Sequence, residues 1–126
     1  MSDYRFPYKD AAFLLNDLLD FDQLCAETGY DEVNFELAEA ILEEASRFGS
    51  EVLVPINVKG DHQGATLGDD GVIVSPGYAD AYQQYVDNGW ASLSGSEEYG
   101  GQALPKLLDA AVVEIWASAC VAFSLL

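Results

Sequence analysis

Glu114 is the residue with the strongest claim to acid–base chemistry. It is the only charged residue from Ala110 to Leu126. Burial there would raise its pKa toward the range of a general base. A glutamate on a solvated helix edge, or bonded to backbone, explains the same pattern with less, and that reading prevails. Glu97 and Glu98 are adjacent, and neighbouring carboxylates on a loop do not face each other as an acid and base must. His62 has no carboxylate or thiol that the sequence sets beside it. Cys25 and Cys120 stand far apart with no CxxC motif, and one histidine cannot complete a zinc site. They read as buried free thiols. The Asp/Gly spacing around Asp61, Asp69 and Asp70 lacks the closing glutamate of an EF-hand loop. Phosphate loops, dinucleotide fingerprints, nucleophile elbows and HExxH are all missing. No catalytic residue and no metal ligand is assigned.

The elements carrying these residues read as helices. Tyr8-Lys9-Asp10 opens the first, with Phe13, Leu14, Leu15, Leu18 and Leu19 as its apolar residues. It is a strap that packs onto something else. Asp20 or Asp22 caps a short turn through Cys25, which Gly29 ends. Asn34 caps the clearest helix. There Ala38, Ile41, Leu42, Ala45, Phe48, Val52 and Leu53 recur at the spacing of one buried face. Glu36, Glu39, Glu43, Glu44 and Glu51 make a solvated opposite face. Pro55 ends or kinks this helix. Gly60 to Ser75 is a loop or small hairpin around Asp70-Gly71. Ser75-Pro76 then caps and starts a helix striped by Tyr78, Tyr82, Tyr85 and Val86, closed by Asn88-Gly89. Trp90, Leu93 and Tyr99 line the connection to the last helix.

Ser96 to Pro105 supplies a sharp turn at Gly100-Gly101 and a proline at a helix start. The helix that follows is apolar all round and so demands cover on nearly every side. It reaches Leu125-Leu126 without a C-cap glycine or a last-turn lysine or arginine, so the expectation is a domain truncated at its C-terminus. The fold class is all-α, a helical bundle with one Gly/Asp-rich excursion.

Composition bounds the partners. With 22 acidic and 5 basic residues the formal charge is −17. Such a chain has no basic face for nucleic acid, and anionic membranes repel it. Taking Ala110–Leu126 as a membrane anchor fails on its short length, on Glu114 and on the lack of a basic flank. No signal peptide is visible, which makes the cytoplasm the expected location.

The run Glu98-Tyr99-Gly100-Gly101-Gln102-Ala103-Leu104-Pro105, with Trp116 and Ala119 to Ser124 behind it, resembles the N-terminal helical domain of flavin-dependent acyl-CoA dehydrogenases. Tyr8 to Asp20 is similar to the N-terminal extension of the long-form bacterial branch of that family. Leu42 to Ala45, Glu51 to Asn57 and Gly77-Tyr78 agree with that branch. The resemblance implies residues 1–33 as an extension packing on the bundle and residues 34–126 as the N-terminal helical domain. In that family a middle β-domain and a C-terminal helical domain hold most of FAD, commonly across a subunit interface. The glutamate that removes the α-proton typically lies in the C-terminal part, so Glu114 is not that base. By the same resemblance the complete enzyme is a homo-oligomer that desaturates an acyl-CoA, and this chain alone holds no FAD and is inactive. It contributes one wall of the acyl pocket. Phe123 and Ser124 would lie nearest the acyl chain, with Leu126 below, and bulky Phe123 favours a short or moderate acyl group. Ala103 stands where the family commonly has glycine. The alternative is a free-standing helical module that self-associates or docks through its apolar C-terminal helix.

Overall fold

Asn34 starts the central helix as its side chain predicts, with Oδ1 accepting the Leu37 N–H at 2.9 Å. A second acceptor comes from the preceding helix, where Asp22 Oδ1 takes the Phe35 N–H at 2.6 Å. In the computed structural model, which describes residues 4–125, α3 (Phe35–Phe48) turns Ala38, Leu42, Ala45 and Phe48 into the core. The chain does not stop at Pro55. It passes through a π-helical turn, Gly49–Leu53, into α4 (Val54–Gln63), of which Pro55 is the second residue. An interior proline lacks an N–H and its ring presses on the carbonyl four residues back. Here that carbonyl belongs to Glu51, inside the widened turn, so the helix absorbs the proline by loosening. Gly49 lets the helix that carries Ile115 approach, because a Cβ there would meet Ile115 Cγ2 at 2.8 Å.

The leader is α1 (Tyr8–Ala12) running into a second π-helical stretch, Phe13–Leu18. Only Leu15 of this leader is buried, while Phe13, Leu14 and Leu18 are largely exposed. The Tyr8 hydroxyl donates to Glu39 Oε1, tying the strap to α3. That bond, with Glu39 holding the proton in place, pushes the phenol up to about 12. Asp20 caps α2 (Phe21–Glu27) by accepting the Gln23 N–H at 3.3 Å.

Gly60, Asp61 and His62 are not in a loop, because α4 continues to Gln63. Gly60 is in the helix where no side chain could fit against Tyr78. A hairpin follows: β1 (Thr66–Gly68) pairs antiparallel with β2 (Gly71–Ile73), Leu67 opposite Val72, around Asp69-Asp70. It is the one sheet among the described residues. The next helix begins later than Ser75-Pro76 suggests. Gly77, at φ 93°, precedes α5 (Tyr78–Asp87), and the Ser75 hydroxyl instead donates to the Lys59 carbonyl at 3.4 Å. Its inward face is Tyr78, Ala81 and Tyr85, whereas Tyr82 and Val86 are half exposed.

The glycine turn is stitched by backbone. The N–H groups of Gln102, Ala103 and Leu104 donate to the carbonyls of Ser92, Gly95 and Leu93 at 2.8–2.9 Å. Tyr99, expected to line this connection, points to solvent with 85% exposure. It belongs to a single 3₁₀ turn, Glu97–Tyr99, which the Ser96 hydroxyl caps from outside. Ala103 adopts φ 50°, a left-handed conformation that costs a Cβ-bearing residue about 1–2 kcal/mol. Ala103→Gly is therefore expected to stabilise the chain by about 0.5–1 kcal/mol after the entropy of the unfolded glycine is counted. A higher urea midpoint at unchanged slope would show it; a lower midpoint would refute the strain.

Pro105 leads into α6 (Lys106–Ala119), which packs on α3 and on the π turn through Leu108, Val112, Ile115, Trp116 and Ala119. The final helix is not continuous. Cys120 is extended at φ −159°, ψ 93°, and a short α7 (Val121–Ser124) starts in a new direction. Nor is α6 covered all round. Ala110, Val113, Glu114 and Ala117 form an exposed side, tolerable because single exposed aliphatic side chains are ordinary on protein surfaces. No helix among the described residues is long and apolar enough to cross a membrane.

Candidate functional site

The break at Cys120 turns Phe123 and Ser124 toward a cleft of about 60 Å³ lined also by Tyr82, Tyr85, Val113 and Trp116. Three helices supply these residues: α5 the two tyrosines, α6 the valine and tryptophan, α7 the phenylalanine and serine. Phe123 is 3% exposed. Its ring meets Tyr85 edge to face at 5.5 Å and 81°. Tyr85 meets Trp116 likewise at 6.2 Å, and Trp116 meets Trp90 at 5.2 Å. Such tilted pairs place ring edges on ring faces and fix the wall beyond what burial alone would do. Ser124 is half-buried, and its hydroxyl donates to the Val121 carbonyl at 2.8 Å. Leu126 lies outside the described residues.

The cleft holds no carboxylate, imidazole or thiol. Burial, and then the nearby Asp109 and Tyr82, push the Tyr85 phenol up, so it remains a neutral hydroxyl. The volume is on the order of two water molecules' share of liquid. The arrangement can receive a small apolar group and cannot by itself move a proton. Phe123 and Ser124, which the resemblance sets nearest an acyl chain, lie here together with Tyr82 and Tyr85, which the sequence singled out only as a helical stripe. Their spacing of three, opposite a tryptophan on the next helix, was the available signal.

The other candidates are scattered. Glu114 is on the exposed side of α6. His62 is exposed in the last turn of α4. Glu97 and Glu98 are exposed in the turn before Gly100. Cys25 and Cys120 are free and buried, and burial, then Asp22, pushes the Cys25 thiol up, away from a reactive thiolate. No group of three metal-ligating side chains occurs among the described residues.

No family model matches the chain. The 3-methylmercaptopropionyl-CoA dehydrogenase of Ruegeria pomeroyi, however, is 41% identical to it over 122 residues, 97% of this chain. The chain is homologous to a segment of an acyl-CoA dehydrogenase. It spans 21% of that dehydrogenase's length. The helical fold expected from the resemblance agrees with what is seen.

A flavin dinucleotide does not fit the aromatic cleft or the two acidic clefts beside α3. The aromatic cleft is far too small for its ring system. Two of the surface clefts, about 490 and 520 Å³, are walled by Glu44 and Glu51, or by Glu36, Glu39 and Glu43. These carboxylates oppose a pyrophosphate, and the one arginine among them, Arg47, is paired with Glu44.

Proposed function

We propose that this chain is the helical segment of an FAD-dependent acyl-CoA dehydrogenase that walls one side of the acyl pocket. The observation that carries the reading is the 41% identity along nearly the whole chain to a dehydrogenase of an acyl-CoA. The aromatic cleft shared by Phe123 and Ser124 supports it, because an apolar wall without titrating groups suits an acyl tail. In this reading residues 1–33 are an extension and residues 34–126 the helical domain, with Leu126 continuing the wall. The α,β-desaturation belongs to the complete, homo-oligomeric, cytoplasmic enzyme. FAD, its binding β-domain and the proton-abstracting glutamate of a C-terminal helical domain are contributed by other parts, and this chain alone is inactive. The substrate is a short or moderate acyl-CoA. Four aromatic residues around so small a cleft also suit a thioether end such as the relative's name describes, since sulfur packs well at aromatic edges.

The test is a chimera in which this chain replaces the matching residues of the Ruegeria enzyme. It is expected to retain acyl-CoA dehydrogenation, and Phe123→Ala in it to raise KM for a short acyl-CoA by about tenfold, the loss of about 1.4 kcal/mol of uniform binding. A folded chimera whose KM ignores Phe123 would refute the wall.

The interaction-module reading rests on a different observation, the exposure of Val113, Val121 and Leu125 along α6 and α7. Sedimentation of the isolated chain separates the two: concentration-dependent association abolished by Val121→Lys supports the module.

A further inference from the structure

Where α7 begins, a side-chain hydrogen bond joins distant parts of the chain. The Tyr78 hydroxyl and Cys120 Sγ share a hydrogen bond at 3.3 Å. Cys120 is 1% exposed and takes up the extended conformation that separates α6 from α7. Its carbonyl accepts the N–H groups of Phe123 and Ser124 at 3.1 and 3.2 Å. Whatever fixes Cys120 thus fixes the first turn of α7. The Tyr78 ring is itself clamped from the far side by α4, because Gly60 leaves no room for even a methyl group beside the hydroxyl. Three elements meet at one phenol: α4 through Gly60, α5 through Tyr78, and the α6–α7 junction through Cys120. Burial, and then the Cys120 contact, push the phenol up to about 12, so its proton stays on across the physiological range.

We infer that Tyr78 is a positioning residue whose hydroxyl, seated on Cys120 and backed by Gly60, sets the angle at which α7 presents Phe123 and Ser124. It touches neither of the two directly in this role; it acts through the junction. The importance of that angle for an acyl group rests on the wall reading above, but the positioning itself does not.

Hydrogen exchange of the full chain tests the positioning. Tyr78→Phe removes only the hydroxyl, and is expected to speed exchange at the Phe123 and Ser124 amides by about five- to tenfold, the scale of one net hydrogen bond. The amides of Phe35–Phe48 should keep their rates. Cys120→Ala should do the same, the double variant should add nothing further, and Cys120→Ser should restore part of the protection. Gly60→Ala should reproduce the effect from α4. Unchanged exchange in α7, or equal acceleration throughout the chain, or additive single effects, would overturn the inference. The acyl reading fails separately. If Tyr78→Phe loosens α7 but leaves the chimera's KM and kcat for a short acyl-CoA untouched, Tyr78 positions α7 and α7 does not wall the pocket.

Discussion

Replacing Trp116 by alanine is expected to cost this chain about 3–5 kcal/mol of folding free energy. Trp116 is 3% exposed. It is the ring on which the others converge: Phe48 at 5.3 Å and 80°, Trp90 at 5.2 Å and 75°, Tyr85 at 6.2 Å and 78°. The three neighbours sit on α3, on the turn after α5, and on α5 itself, so removing the indole opens a void that no single element can close. Domains of this kind have about 5–15 kcal/mol in hand, and the variant should therefore be close to half-unfolded on mild heating. Trp116→Phe keeps a ring between Phe48 and Tyr85 and should lose less than half as much. Urea unfolding followed by helical circular dichroism checks both. A loss below about 1 kcal/mol for the alanine variant would mean that the cluster collapses around the gap and is not the keystone described.

The second large effect lies in the glycine turn. Gly101→Ala is expected to destabilise by about 1–3 kcal/mol or more. A Cβ there would overlap the backbone of Gly95, and backbone cannot swing aside as a side-chain tip can. The segments from Ser92 to Gly95 and from Gly101 to Leu104 are also bonded backbone to backbone, so separating them breaks several bonds at once. Gly100→Ala is the control. Gly100 has φ 82° and open space where a Cβ would go, so only the left-handed strain of about 1–2 kcal/mol applies. Gly101 should be the costlier position. Equal losses at the two sites, from the same urea titration, would show that conformation and not close approach makes this turn need glycine.

What the sequence made legible follows from how local each signal was. The Asn34 cap and the helix start beside Pro105 each depend on residues within a few positions and stand as read, and the hairpin forms with its turn one residue earlier, at Asp69-Asp70. Of the two effects read for Pro55, an end or a kink, the end does not occur, because it assumes a regular α-helix before the proline and the π turn at Gly49–Leu53 removes that assumption. Ser75 misled because its hydroxyl had a tertiary acceptor in Lys59 that no local pattern shows. The break at Cys120 was invisible for the same reason: no glycine or proline stands near it, and its partner is Tyr78, 42 positions earlier. The cleft was not legible: Tyr82, Tyr85, Val113, Trp116, Phe123 and Ser124 meet only through the crossing of three helices.

The π turn has one more consequence. A wide turn loosens the winding without ending the helix. Ala38, Leu42 and Ala45 face the core before it, Gly49 and Leu53 within it and Ile56 after it, so the inward face runs on at helical spacing. Removing a single residue from Gly49–Leu53 would turn α4 by about 100° against that face, carrying Ile56 off the core and Gly60 away from Tyr78. The seat of the last helix is thus indexed to the length of a five-residue turn on the opposite side of the fold.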